Sequence, residues 1–342
     1  MRIARLTRGF LANRHWATCL ALLALIAAVA MPPVMLSRNT FSYIATFDIT
    51  QSMDVQDVSL NGVPMSRLDF ARAAMREALG QLPCGSRVGW SVFTGQQTLL
   101  LLQPVEVCRN YDALLTSLDS IDGRMRWTNW SRIAEGGLYS ATRVAQQMGQ
   151  RSAIVFITDG QEAPPLLPSP SLARDINPGE IKGWLIGVGG DQPAPIPKTD
   201  ANGNRTGYWT AEDVIQVPAT GASGPPAESH EELSELRGHY LATVADRIGF
   251  HYQRLVSAAS LSGAMLDARF AHREPIAADL RWCPALLALL LLTWRFMPDA
   301  HGWQRLLRFR LKGGQRGAQI FVGHRRSGLE REQIAPLKYP RR

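Results

Sequence analysis

Asp48, Thr50 and Ser52 alternate in Phe47-Asp48-Ile49-Thr50-Gln51-Ser52-Met53, and each carries a side-chain oxygen donor. A tight loop can turn all three toward one point, and oxygen-only ligation suits a hard divalent cation such as Mg²⁺, Ca²⁺ or Mn²⁺. The same stretch also reads as a strand-end turn whose Asp and Ser merely satisfy backbone groups. Two further oxygen donors stand far away in sequence: Thr128, in the loop 122–130, and Asp159, in Thr158-Asp159-Gly160. Enzymatic signatures are lacking. The chain has no His-Glu-x-x-His, Gly-x-Ser-x-Gly or P-loop pattern, and its 7 histidines are scattered. Asp200-Ala201-Asn202-Gly203-Asn204 looks like part of a calcium loop, but its glycine is misplaced for an EF-hand and no acid closes it. A hairpin turn around Asn202-Gly203 is the better reading.

The elements that must position these side chains follow from pattern. Tyr43–Phe47 is short and apolar, and reads as a buried strand ending at Asp48. Ser66–Leu79 is an amphipathic helix with a capping signal at Ser66 and Asp69, closed by Gly80 and Pro83. Val88–Thr94 and Thr98–Gln103 form a hairpin about Gly95-Gln96-Gln97, and helices follow at 112–118 and 131–148. Arg151–Ile157 is a near-continuous apolar run, the signature of a central parallel strand, and it ends at Thr158-Asp159. Further strands are expected at 181–188 and 250–255, with a helix between them that stops at Gly249 and a cap signal at Ser229 and Glu232. Strands alternating with helices predict a doubly wound, Rossmann-like α/β sheet covered by helices on both faces. In the order 3-2-1-4-5-6, strands 1 and 4 are neighbours at the switch point, which brings Asp48 and Asp159 together.

The net charge of +8 is concentrated at the two ends. Arg2, Arg5, Arg8 and Arg14 precede one hydrophobic run, and a tail from Arg305 to Arg342 follows another. That distribution argues against a nucleic-acid partner. The first run, residues 16–36, is uncharged and as a helix would span about 31 Å, enough for a bilayer core; a cleaved signal peptide ending near Ala28-Val29-Ala30 is the alternative. The second, residues 282–297, would span about 24 Å with Arg295 near its end, and a buried core helix is its alternative. The expected organisation is a basic cytoplasmic stretch (1–15), a transmembrane helix (16–36), a folded domain (40–256), a linker (257–281), a second transmembrane helix (282–297) and a basic cytoplasmic tail (298–342). Positive-inside logic places both termini in the cytoplasm and the domain in the periplasm of a bacterial inner-membrane protein. Cys84 and Cys108 lie equally far from Gln96 across the hairpin, so an oxidising compartment would join them as a disulfide; two free thiols are the alternative.

Asp48-Ile49-Thr50-Gln51-Ser52, Thr128 and Thr158-Asp159-Gly160 together resemble a von Willebrand factor A (VWA) domain with a metal-ion-dependent adhesion site, over about residues 40–256. Thr50 replaces the usual first serine and keeps the hydroxyl. The resemblance implies that Thr50, Ser52 and Thr128 ligate an ion, Mg²⁺ first, with Asp48 and Asp159 bound directly or through water. A partner protein's Asp or Glu would then complete the shell, with no catalysis. Met53, the Ser66-Arg67-Leu68 helix start, the proline-rich insertion and the flanking spans resemble the bacterial membrane-anchored, Bat-type members. The Asp48–Met53 stretch and overall size are similar to accessory proteins encoded with periplasmic methanol dehydrogenase, implying a role in assembly or maturation alongside other membrane-complex subunits. A structural subunit with a vestigial metal site is the alternative.

Overall fold

The computed structural model describes residues 15–149, 152–165, 176–216 and 230–297. Two compact units are present. The larger is Val34–Ala278; the smaller holds the described residues on either side of it.

The larger unit is built on six strands: β1 (Ser42–Asp48), β2 (Arg87–Thr94), β3 (Gln97–Glu106), β4 (Ala153–Thr158), β5 (Gly183–Gly187) and β6 (His251–Arg254). Their order is β3-β2-β1-β4-β5-β6, as the alternation of elements predicts. All neighbours are parallel except the β2/β3 hairpin at one edge, which makes the sheet mixed. Every residue of β4 is buried, as expected for a central strand covered on both faces.

Side chains alternate between two cores. On one face Tyr43, Ala45 and Phe47 of β1 and Val155 and Ile157 of β4 pack against α1 (Arg67–Gln81) and α2 (Tyr111–Asp119) through Met75, Leu79, Leu114 and Leu118. On the other, Ile44, Ile154, Phe156 and Leu185 meet Leu138, Ala141, Leu241 and Ile248, around α3 (Tyr139–Gln147) and α4 (Gly238–Ile248). Ser66 caps α1 by accepting from the Asp69 N–H at 3.0 Å, and Gly249, at φ 77°, ends α4. A π-helical turn, Ile133–Leu138, occupies the start of the helix expected at 131–148. Cys84 and Cys108 are joined in a disulfide with Cα atoms 5.3 Å apart, as the hairpin geometry predicts. The turn at Asn202-Gly203 is also present, joining the short strands Pro197–Thr199 and Arg205–Tyr208.

Three expectations need correction. Residues 257–281 are not a linker. Ala258–Met265 is a helix, α5, started by a Ser257–Ser260 capping box, and its Leu261 and Met265 are buried against the core of α1. The Met265 carbonyl accepts from Tyr43 Oη at 2.9 Å. His272–Ala278 then pairs antiparallel with Val34–Thr40, so the domain begins and ends in one ribbon outside 40–256. The cap signal at Glu232 starts no helix either: Leu233–Ser234 is a strand paired with Ala194–Pro195, and Ser229 lies outside the described residues.

The third correction concerns the first hydrophobic run. Its helix is His15–Ala30, 16 residues, halted before Pro32-Pro33, whose rings supply no N–H to extend it; Val34–Leu36 belong to the ribbon instead. The C-terminal helix, Trp282–Phe296, has 15 residues. No helix among the described residues is long and apolar enough to cross a membrane. Within the smaller unit Ala21, Ala24 and Ala288 pack together and the Trp16 and Trp294 rings lie 5.4 Å apart, while Leu22, Leu23, Leu289 and Leu290 face outward. The basic stretches at 1–14 and 298–342 lie outside the described residues.

Candidate metal centre

β1 and β4 are adjacent, so their carboxyl ends deliver Asp48 and Thr158-Asp159 to one place. Asp48 is fully buried. Its Oδ1 accepts from the Thr50 N–H at 2.9 Å and from Thr50 Oγ1 at 2.7 Å, and its Oδ2 accepts from Thr158 Oγ1 at 2.6 Å. Thr50 Oγ1 and Ser52 Oγ lie 3.2 Å apart, both almost wholly buried. Burial, and then the nearby charge of Asp159, push the Asp48 carboxyl up to about 7, against the Thr158 and Thr50 hydrogen bonds that pull it down.

Asp159 is held differently. Its Oδ2 accepts from Arg67 Nη1 at 2.6 Å and from Ser234 Oγ at 3.1 Å, and its Oδ1 accepts from the Gln161 N–H at 2.9 Å. Arg67, on the first turn of α1, has no exposed side-chain surface and also grips Asp57 through two hydrogen bonds, 2.9 and 2.6 Å. One guanidinium therefore joins the loop after β1, the tip of β4 and, through the Ser234 carbonyl at 3.0 Å, the insertion that follows β5.

Thr128 lies on the loop whose next residue, Asn129, accepts from Gln51 Nε2 at 3.2 Å. Gly95, at φ 69°, lets its loop approach: a Cβ there would lie 2.5 Å from Thr128 Cγ2. Thr94 Oγ1 donates to the Thr128 carbonyl at 2.9 Å, and the Thr128 hydroxyl accepts from the Trp130 N–H at 3.3 Å. No hydrogen bond among the described residues joins that hydroxyl to Asp48, Thr50 or Ser52. The structure thus links Asp48, Thr50 and Ser52 directly, sets Asp159 beside them on an arginine, and places Thr128 on the adjoining loop.

The donor chemistry answers in two parts whether these residues suit an ion. Asp48, Thr50 and Ser52 suit a hard divalent cation: all are oxygen donors, they converge, and among the described residues the Asp48 carboxylate has no cationic side chain as partner. Asp159 already faces a positive group, so it suits a supporting role better than a direct ligand.

Several residues of the site escape motif reading. Arg67 and Asp57 had no assigned role, although an arginine sharing a helical face with Ala71, Ala74 and Ala78 is a usable signal, since a buried charge requires a partner. Gln51 and Arg126 fasten the site to the insertion. Gln51 Nε2 donates to Asn129 Oδ1 at 3.2 Å, and Trp209 Nε1 donates to Gln51 Oε1. Arg126 donates to the Ile49 carbonyl at 2.8 Å, to Asp54 at 2.9 Å and to Thr199 Oγ1 at 2.9 Å.

The strand order, the antiparallel edge and the Asp-x-Thr-x-Ser turn after β1 define a VWA-like α/β fold. Among solved structures, the chain is similar to an aerotolerance-related membrane protein from Bacteroides fragilis, at 20% identity over 66% of this chain and 96% of that one, with a TM-score of 0.45. It is similar to BatB from Bacteroides thetaiotaomicron, at 21% identity over 66% of this chain and 94% of that one, with a TM-score of 0.43. A von Willebrand factor type A protein from Catenulispora acidiphila matches at 10% identity over 75% of this chain and 50% of that one, with a TM-score of 0.37. No family model matches the sequence, and no curated protein does.

Proposed function

We propose that the protein is a metal-dependent binding module that captures a carboxylate of an exported protein and so serves the assembly or maturation of a periplasmic complex, such as a metal-dependent dehydrogenase. The observation that carries this reading is the convergence of the Asp48 carboxylate with the Thr50 and Ser52 hydroxyls at the sheet's switch point, without a cationic side chain on Asp48 among the described residues. Thr50 and Ser52 would hold the ion, with Asp48 beside them and Thr128 and Asp159 in support; Mg²⁺ is the first choice and Ca²⁺ or Mn²⁺ the others. A bound cation supplies the positive charge that draws a partner's Asp or Glu. The role is binding rather than catalysis. The outward leucines of the smaller unit support attachment to a membrane, with the domain on the periplasmic side, where the Cys84–Cys108 bond is favoured.

A pull-down of exported proteins by the full chain, with and without chelator, tests the reading. Capture should need divalent cation and disappear in Asp48→Ala, with the fold retained. Capture at wild-type strength in chelator would refute it. One observation favours a second reading: Arg67 already neutralises Asp159, as expected of a structural subunit whose metal site is vestigial. In that case Asp48→Ala, Thr50→Ala and Ser52→Ala would all leave the complex intact.

A further inference from the structure

A cavity of about 230 Å³ opens beside Thr50 and Ser52. It is smaller than the several hundred Å³ typical of cofactor or drug-sized pockets, and suits a fragment of one or two residues. Trp130, Pro164, Pro165, Ile196, Trp209 and Ile215 give it apolar walls. Ser131 also lines it; this serine is 2% exposed, and its hydroxyl is buried with no hydrogen-bond partner among the described residues. A buried hydroxyl left unpaired costs free energy, so an orphan in a cavity wall marks a place where a ligand's polar group fits.

The acids around the rim are already engaged. Glu162 accepts from the Ile133 and Ala134 N–H groups and from Tyr240, Glu231 pairs with Arg237, and Asp213 pairs with Lys198. The charge left to attract a ligand therefore belongs to the hydroxyl cluster and the cation it would hold.

We infer that this cavity reads the residue next to the captured carboxylate: the partner presents an Asp or Glu followed by a large apolar side chain in an extended segment. The carboxylate addresses the Thr50–Ser52 side, a backbone group of the segment bonds Ser131 Oγ, and the apolar side chain packs between Trp130 and Trp209. This inference rests on the carboxylate-capture reading and adds the sequence class of the captured segment.

Ligand-observed NMR titrations of the full chain with Mg²⁺ test it, using acetyl-Asp-Phe-amide, acetyl-Asp-Ala-amide and acetyl-Asn-Phe-amide. Burying the Phe side chain favours acetyl-Asp-Phe-amide over acetyl-Asp-Ala-amide by about tenfold or more in Kd. Trp209→Ala should erase that preference. Ser131→Ala should weaken acetyl-Asp-Phe-amide several-fold without lowering Tm, because it removes a hydroxyl that bonds nothing among the described residues. Equal binding of the Phe and Ala peptides, both dependent on Mg²⁺, would overturn this inference and leave carboxylate capture standing. Equal binding of acetyl-Asn-Phe-amide and acetyl-Asp-Phe-amide, unaffected by chelator, would overturn carboxylate capture and leave an apolar pocket. Failure of every peptide to bind while Mg²⁺ binding is measured would overturn the inference.

Discussion

Arg67 is the residue on which the site's architecture turns. Its guanidinium is fully buried between Asp57 and Asp159 and reaches the carbonyls of Ser234, at 3.0 Å, and Ser52, at 3.4 Å. Desolvating it is costly, and the two carboxylates and added hydrogen bonds offset that cost. Removing one member of such a group leaves the others buried and uncompensated, with losses of about 3–5 kcal/mol. Arg67→Met is therefore expected to lower unfolding free energy by about that amount. Adding Asp159→Asn should recover part of it, since one orphaned charge is then gone. Denaturant melts of wild type, both single variants and the double variant measure the coupling. An Arg67→Met protein as stable as wild type would show that the buried pair contributes nothing.

At the scale of elements, Glu162 joins two that are distant in sequence. It follows the tip of β4, and its carboxylate accepts from the Ile133 and Ala134 N–H groups at 3.0 and 3.1 Å, at the start of the helical turn that leads into α3. Burial pushes its pKa above the ordinary glutamate value, against hydrogen bonds from Tyr240, Ala134 and Ile133 that pull it down. The sign follows: the folded state holds the proton to higher pH than the unfolded chain does. The stabilising contribution is thus complete below the unfolded pKa and is lost as pH rises through the folded one. Glu162→Gln does not titrate, so wild-type Tm should fall relative to the variant's as pH rises above the usual carboxylate range. Parallel Tm–pH curves for the two proteins would contradict this.

The elements also divide by how far the sequence exposes them. β1, β4 and α1 were legible because apolar runs and a capped amphipathic stripe are long enough to show their period, and strand order then brought Asp48 to Asp159. The disulfide was legible because a tight hairpin fixes which residues face each other. α5 was not, because eight residues with Leu261 and Met265 as anchors barely complete two turns. The two-residue strands Ala194–Pro195 and Leu233–Ser234 have no period at all, since only distant pairing creates them. The tie between Arg67 and Asp159 spans 92 positions and depends on packing, so motif spacing alone leaves it hidden.

At the scale of the whole molecule, the corrected boundaries carry a consequence. Residues 40–256 include all six strands of the sheet but omit α5 and both halves of the Val34–Thr40/His272–Ala278 ribbon, apart from Thr40. That cut would expose the part of α1 and of the core that α5 covers, and would remove the carbonyl that accepts from Tyr43. Losing a buried Leu and a buried Met removes about 1.5–3 kcal/mol of apolar burial each, a large share of the 5–15 kcal/mol that stabilises a domain. A fragment of residues 34–278 should therefore unfold in one cooperative transition, whereas residues 40–256 should melt at much lower temperature or expose apolar surface to a hydrophobic dye. Equal melting of the two fragments would mean that α5 and the ribbon are appendages, and would restore 257–281 as a linker. The larger fragment also locates the ion: if it binds Mg²⁺ as the full chain does, the ion belongs to the Val34–Ala278 unit alone.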